Sequence, residues 1–236
     1  MKLHHILISA LAVFGITATS AAQEINRYDL AVENFQELSV TDGINVEYVW
    51  NPDSAGHAVF YAPARTASMI MFKNSPDKLD IQLSTDAAGE KNLPVIRVYS
   101  AFLTKVRNSG DSTVRVLSIA PVPKASFELI GNGRLIVHGI KSNKVEGALN
   151  TGNGSLVLFG KVDEANLKFI GTGIIQADEL EANKVTVKAG GTGQIGCWAT
   201  EKLNIYGTGS STIYYKGSPE IKKVSLGLKV KNIDER

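Results

Sequence analysis

Apolar and polar residues alternate in short runs along almost the whole chain, in two regimes. In the first half the runs are irregularly spaced. They are Leu38 to Val40, Ile44 to Trp50, Ala58 to Ala62, Ser68 to Phe72, Leu79 to Leu83, Val95 to Tyr99 and Val114 to Val116. Gly, Pro, Asn, Asp or Ser bounds each of them, which is how strands separated by turns look. Ser84 to Asn92 is the clearest loop, and Gln23 to Asn34 reads as a polar lead-in. No stretch beyond the first two dozen residues keeps a helical period over several turns, so the pattern predicts an all-β chain.

In the second half the runs repeat. Gly-x-Gly occurs at 131–133, 152–154, 171–173, 191–193 and 207–209, with first glycines 21, 19, 20 and 16 residues apart. A period near 20 is typical of solenoids. Superimposing the five units gives columns. Four residues before the first glycine stand Phe127, Ala148, Leu167, Val187 and Leu203, and two before it Leu129, Asn150, Phe169, Ala189 and Ile205. Four after it stand Leu135, Leu156, Ile175, Ile195 and Ser211, and six after it Val137, Leu158, Ala177, Cys197 and Ile213. Strand side chains alternate faces, so these four columns point inward. The column Glu128, Leu149, Lys168, Lys188 and Asn204 points to water. Unit two fits worst, because Asn150 falls inward and Leu149 outward, and a bulge or slipped register is expected there. The glycines suit a turn in which one or both positions need positive φ.

A strand, turn, strand unit can stack on its neighbours in parallel, ~4.8 Å apart, as a β-solenoid, or pair across the turn as an antiparallel meander. Only the solenoid requires like positions to match in every copy, so the columns favour it. The segment Phe35, Leu38, Val40, Gly43-Ile44-Asn45, Val46 resembles the Gly-Ile-Asn motif of the head GIN domain family of auto-transporter adhesins. Val95 to Tyr99, Leu103, Ser109-Gly110 and the Gly-x-Gly units are similar to that family in the same order, over roughly Asn34 to Lys216. The resemblance implies a right-handed, pectin-lyase-like β-helix and an adhesive role at the cell surface, without established catalytic residues. The expected organisation is a signal over 1–22, a lead-in over 23–34 and a single β-helical domain over 35–236. That domain divides into a strand-rich half (35–116), the repeats (117–218) and a C-terminal tail (219–236).

The first residues fit a removable export signal: Lys2, an apolar run from Ile6 to Ile16, then Ser20, Ala21 and Ala22. That run is too short for a membrane span, and no later segment is long and apolar enough. Export to the periplasm, the outer surface or the medium follows. A lone cysteine, Cys197, excludes an internal disulfide, so burial and backbone pairing must hold the fold. Charges nearly cancel at a net +2 and no basic run exists, so nothing favours nucleic acid.

Candidate chemistry is sparse. Gly191-Thr-Gly193-Gln-Ile-Gly196 matches a dinucleotide-loop pattern but continues as strand, where the loop needs a helix N-terminus. The turns lack the aspartates of calcium-binding β-rolls, and His4, His5, His57 and His138 have no zinc spacing. No metal or other cofactor is implied. His138 and Asp178 lie two units apart, too far to act as a pair. Glu164, Glu179, Glu181 and Glu201 read as solvated loop charges. One column does suggest a binding role. Seven residues after the first glycine stand His138, Phe159, Asp178, Trp198 and Tyr214, all expected outside and on one face. Exposed aromatic strips mark contact surfaces, for protein or for sugar rings, unless another part of the chain folds over them. Three roles remain: a non-catalytic module binding a protein or glycan partner at the envelope, a carbohydrate-active enzyme on a β-helix, or a structural part of a larger assembly, a homo-oligomer among the options.

Overall fold

A computed structural model describes residues 24–234. The export signal expected over 1–22 lies outside them. The chain forms β1 (Asn26–Ala31), β2 (Glu37–Val40), β3 (Val46–Trp50), β4 (His57–Ala62), α1 (Ala64–Ala67), β5 (Ile70–Ser75), β6 (Lys78–Leu83), β7 (Ile96–Ser100), β8 (Lys105–Asn108) and β9 (Thr113–Ser118). It continues through β10 (Lys124–Ile130), β11 (Arg134–Asn150), β12 (Ser155–Ile170), β13 (Ile174–Ala189), β14 (Gln194–Thr208), β15 (Thr212–Lys216), β16 (Glu220–Leu226) and β17 (Lys229–Asn232).

The architecture is the β-solenoid that the repeat predicts. β10 to β17 pair in parallel, rung on rung, and each long strand from β11 to β14 runs up one side, bends, and returns on the other before its glycine turn. Two parallel sheets result. One holds the strands before each turn, the other the strands after it. Inward columns are sealed: Leu129, Leu149 and Phe169 face one another in register, as do Leu135, Leu156, Ile175, Ile195 and Ile213, all fully buried. Cys197 lies among them, and burial with the nearby Asp178 charge pushes its thiol up to about 12.

Several column assignments in units two and five need correction, among them Ala148, expected inward, which lies beside the outward Glu128 and Lys168 while Gly147 takes the inward place. In unit two Leu149 is buried and Asn150 is not, yet the register through 144–150 is unbroken. The extra residue is taken up in the turn by Thr151, at φ 64°, so no bulge forms over 144–150. In unit five the turn starts two residues early: Ile205, and not Leu203, lies beside Val187, and Gly207 beside Ala189. Ile213, and not Ser211, then lies beside Ile195, while the buried Ser211 hydroxyl donates to the Gly191 carbonyl at 2.7 Å. Tyr215 consequently occupies the place beside Cys197 assigned to Ile213.

The turns explain their glycines by contact as well as by φ. A Cβ on Gly193 would lie 2.0 Å from the Gly173 carbonyl oxygen and 2.4 Å from the Phe169 ring, although its φ is unexceptional. Turn stacks on turn so closely that the inner position has no room for a side chain. Asparagines complete these turns: Asn45 of the Gly-Ile-Asn motif accepts from the Thr113 amide of the next rung at 2.8 Å. Buried Asn108 donates to the carbonyls of Ser112 and Arg134 and accepts from Gly110 N. A solenoid corner has no helix or hairpin partner for its polar backbone, and side-chain amides supply one.

The first half extends the same stack, but in an order the sequence does not announce. β2 and β3 form a rung placed between the β6 and β7 rung and the β8 and β9 rung. After β1 the chain therefore enters the stack between later rungs, leaves through β4, α1 and β5 to build its end, and re-enters on the far side of its own first rung. Antiparallel β1, β4 and β5 close that end, where Tyr28, Phe60 and Phe72 stack at 5.1 and 6.0 Å. Such a cap shields edges that would otherwise stay open. The expected polar lead-in is thus β1, and the expected C-terminal tail is a further rung, β16 and β17. Charged outward residues, Arg27 and Asp29 in one and Lys222, Lys229 and Lys231 in the other, disguise the alternation in both, and in β16 Lys223 takes an inward place as well.

Candidate functional site

The outer face of the after-turn sheet carries the column singled out above. His138 is exposed, and Phe159, Asp178, Trp198 and Tyr214 are half-buried. None is covered by the first half, which stacks end-on. The His138 and Phe159 rings lie face to face, with centroids 4.5 Å apart and planes 5° apart. Parallel register places like residues one rung apart, and that spacing suits ring stacking.

The column then breaks. β13 has a bulge between Ala177 and Glu181, so Asp178, Glu179 and Leu180 have no counterpart in β14. Phe159 therefore neighbours Glu179 and Trp198 neighbours Glu181, while the early turn of unit five sets Trp198 beside Lys216 and Tyr214 beside Gly196. What forms is two aromatic patches joined by a charged one. Lys216 Nζ lies 2.6 Å from Glu179, 4.0 Å from Asp178 and 5.7 Å from the centre of the Trp198 ring, within cation–π reach. Lys231 Nζ stands 6.0 Å from the Tyr214 ring. Gly196 gains its reason here: a Cβ would come 2.9 Å from Asp178 Oδ1, so the glycine admits the bulged aspartate. Lys216 escaped the sequence reading because the early turn of unit five brings it beside Trp198, and Glu179 because it stands in the β13 bulge.

The remaining candidates separate. His138 and Asp178 are kept apart by the rung bearing Phe159. Glu164, Glu179 and Glu181 pair with Lys184, Lys216 and Lys161, an exposed ladder of the kind worth about 0–1 kcal/mol per pair. His57 Nδ1 lies 2.9 Å from Asp29, which also accepts from Arg27 at 2.8 Å. These contacts tie β1 to β4 and hold the Asp29 carboxyl below its usual range. Among the described residues no three or more His, Cys, Asp or Glu side chains could hold a metal ion together, and no helix is long and apolar enough to cross a membrane.

Comparison with known proteins agrees with this architecture. A crystal structure of a "putative adhesin" from Bacteroides fragilis superimposes with a TM-score of 0.80 at 24% identity, covering 90% of this chain and 98% of that one. A "putative lipid binding protein" from Parabacteroides distasonis does so at 0.70 and 18%, again over 90% and 98%. A "putative adhesin" from Parabacteroides merdae follows at 0.65 and 16%, over 90% and 97%. These likenesses show the fold. No curated protein matches the sequence. The family model described as "Putative auto-transporter adhesin, head GIN domain" matches residues 34–219, and the chain belongs to that family.

Proposed function

We propose that this chain is an exported, non-catalytic adhesion module that holds a protein or glycan of the cell envelope against the face bearing His138, Phe159, Trp198 and Tyr214. The observation that carries the reading is the pair of uncovered aromatic patches on one rigid sheet, with Lys216 and Lys231 beside the second. Fixed rings lose little entropy on binding, and aromatic faces serve sugars and protein side chains alike. The family's description as adhesins supports the same role. The carboxylates a glycosidase would need are paired to lysines along the outside of the stack.

The test is retention. Beads carrying the full chain are presented with envelope proteins and with immobilised neutral polysaccharides, and Trp198→Ser with Tyr214→Ser is compared at matched circular dichroism. Loss of at least tenfold in retention is expected. Unchanged retention, or release of shortened saccharides, contradicts the reading.

A further inference from the structure

The sheet before the turns, across the core from the aromatic face, carries a depression of about 440 Å³. It arises at unit two, the one that matched its neighbours least. Along the outward column Glu128, Ala148, Lys168 and Lys188 lie in register, so a single methyl group stands among long side chains. Beside it Gly147 has no side chain, because Leu156, Leu158 and Leu167 fill the core within 3.1–3.4 Å of where its Cβ would be. That missing Cβ faces the core, so the low floor comes from the outward Ala148 methyl, with Gly147 and Leu167 beside it.

The rim is not electrically neutral. Arg107 and Asn150 each donate to Glu128 at 2.8 Å, and Lys124 pairs with Glu146 at 2.9 Å, so both carboxylates are satisfied. Lys168 and Lys188 sit directly opposite each other, and among the described residues neither has a carboxylate within 4.0 Å. Like charges one rung apart repel, and an anion between them removes that cost. The Asn150 side-chain carbonyl, also on the rim, is buried without a donor. It calls for a hydroxyl or amide hydrogen. Thr186 and Asn166, in the adjacent outward column, offer further partners for hydroxyl groups.

An anion flanked by hydroxyls is the chemistry of an acidic sugar. The geometry points to this depression as a site for an anionic saccharide unit, with Lys168 and Lys188 on its carboxylate or sulfate and Asn150, Asn166 and Thr186 on its hydroxyls. Its size is that of a small-molecule site. The site lies on the other sheet and does not depend on the aromatic face.

Affinity electrophoresis of the full chain in gels holding alginate, dextran sulfate or neutral dextran tests it. Retardation by alginate assigns a carboxylate and retardation by dextran sulfate a sulfate ester; either supports the site, and dextran should not retard. Lys168→Gln with Lys188→Gln is expected to weaken binding at least tenfold. Ala148→Leu, which fills the depression and keeps both lysines, should do the same. Lys222→Gln with Lys229→Gln removes equal charge elsewhere and should change binding less than twofold. Trp198→Ser with Tyr214→Ser should leave it intact, which separates this site from the aromatic one. No retardation by either acidic polymer, an equal loss in the Lys222 and Lys229 variant, or an unaffected Ala148→Leu overturns the proposal.

Discussion

Gly193 and Gly190 stand three residues apart and obey different rules. The Gly193 position is filled by the Gly173 carbonyl and the Phe169 ring, whereas nothing lies within 4 Å of a Cβ at Gly190, and neither needs a left-handed φ. Gly193→Ala is expected to cost about 3 kcal/mol or more, the scale of overpacking a closed core, and Gly190→Ala close to nothing; thermal unfolding compares them. Cys197 is protonated at neutral pH and enclosed, so iodoacetamide should label it only as fast as the fold opens. At Asp29 the folded carboxyl is more acidic than the unfolded one, through His57 first and Arg27 second. Its contribution is complete above the ordinary carboxylate value and is lost as pH falls through the folded value. Hydrogen exchange should show β1 losing protection on acidification before β6 does. Residue identity made the inward columns legible, since alternation is enough to sort Leu135 from Arg134. It did not show why the turn glycines are glycines, because the atom that excludes a side chain belongs to the previous rung.

Strands were legible wherever polar and apolar residues alternate, and illegible where charge disguised them. β1 and β16 carry outward or end-exposed lysine, arginine, aspartate and glutamate, so their windows read as linker and tail. The β13 bulge was equally hidden. Asp178-Glu179-Leu180 adds residues without any Gly or Pro to announce them, and this insertion sets Glu181 beside Trp198, while the early turn of unit five brings Lys216 to its other side. The last rung shows a further device. Phe127, Gly147, Leu167, Val187 and Ile205 form one inward column, and its final member in β16 is Lys223, whose ammonium donates to the Leu228 carbonyl at 2.8 Å. Among the described residues β16 and β17 pair on one side only, and a charge at an inward position stops further strands from adding to such an edge. Lys223→Ile is expected to self-associate through this end as concentration rises, read by light scattering. A variant that stays monomeric wherever the native chain does contradicts the assignment.

At the scale of the molecule, one end is closed by antiparallel strands and aromatics, the other by lysines, and between them two sheets present unlike faces: aromatic on one, amide and lysine on the other. Both faces depend on units of about twenty residues lying parallel and in register, because only then do residues so far apart in sequence become neighbours. Thr186 and Asn204 are such neighbours across β13 and β14. Were Gly191 to Gly193 instead to close a hairpin, Thr186 would face Trp198. The direct measurement is bridging of paired cysteines by a short dithiol-reactive reagent in a Cys197→Ser background. Thr186→Cys with Asn204→Cys is predicted to bridge and Thr186→Cys with Trp198→Cys to stay open. The reverse pattern would contradict the stacked register, and both faces with it.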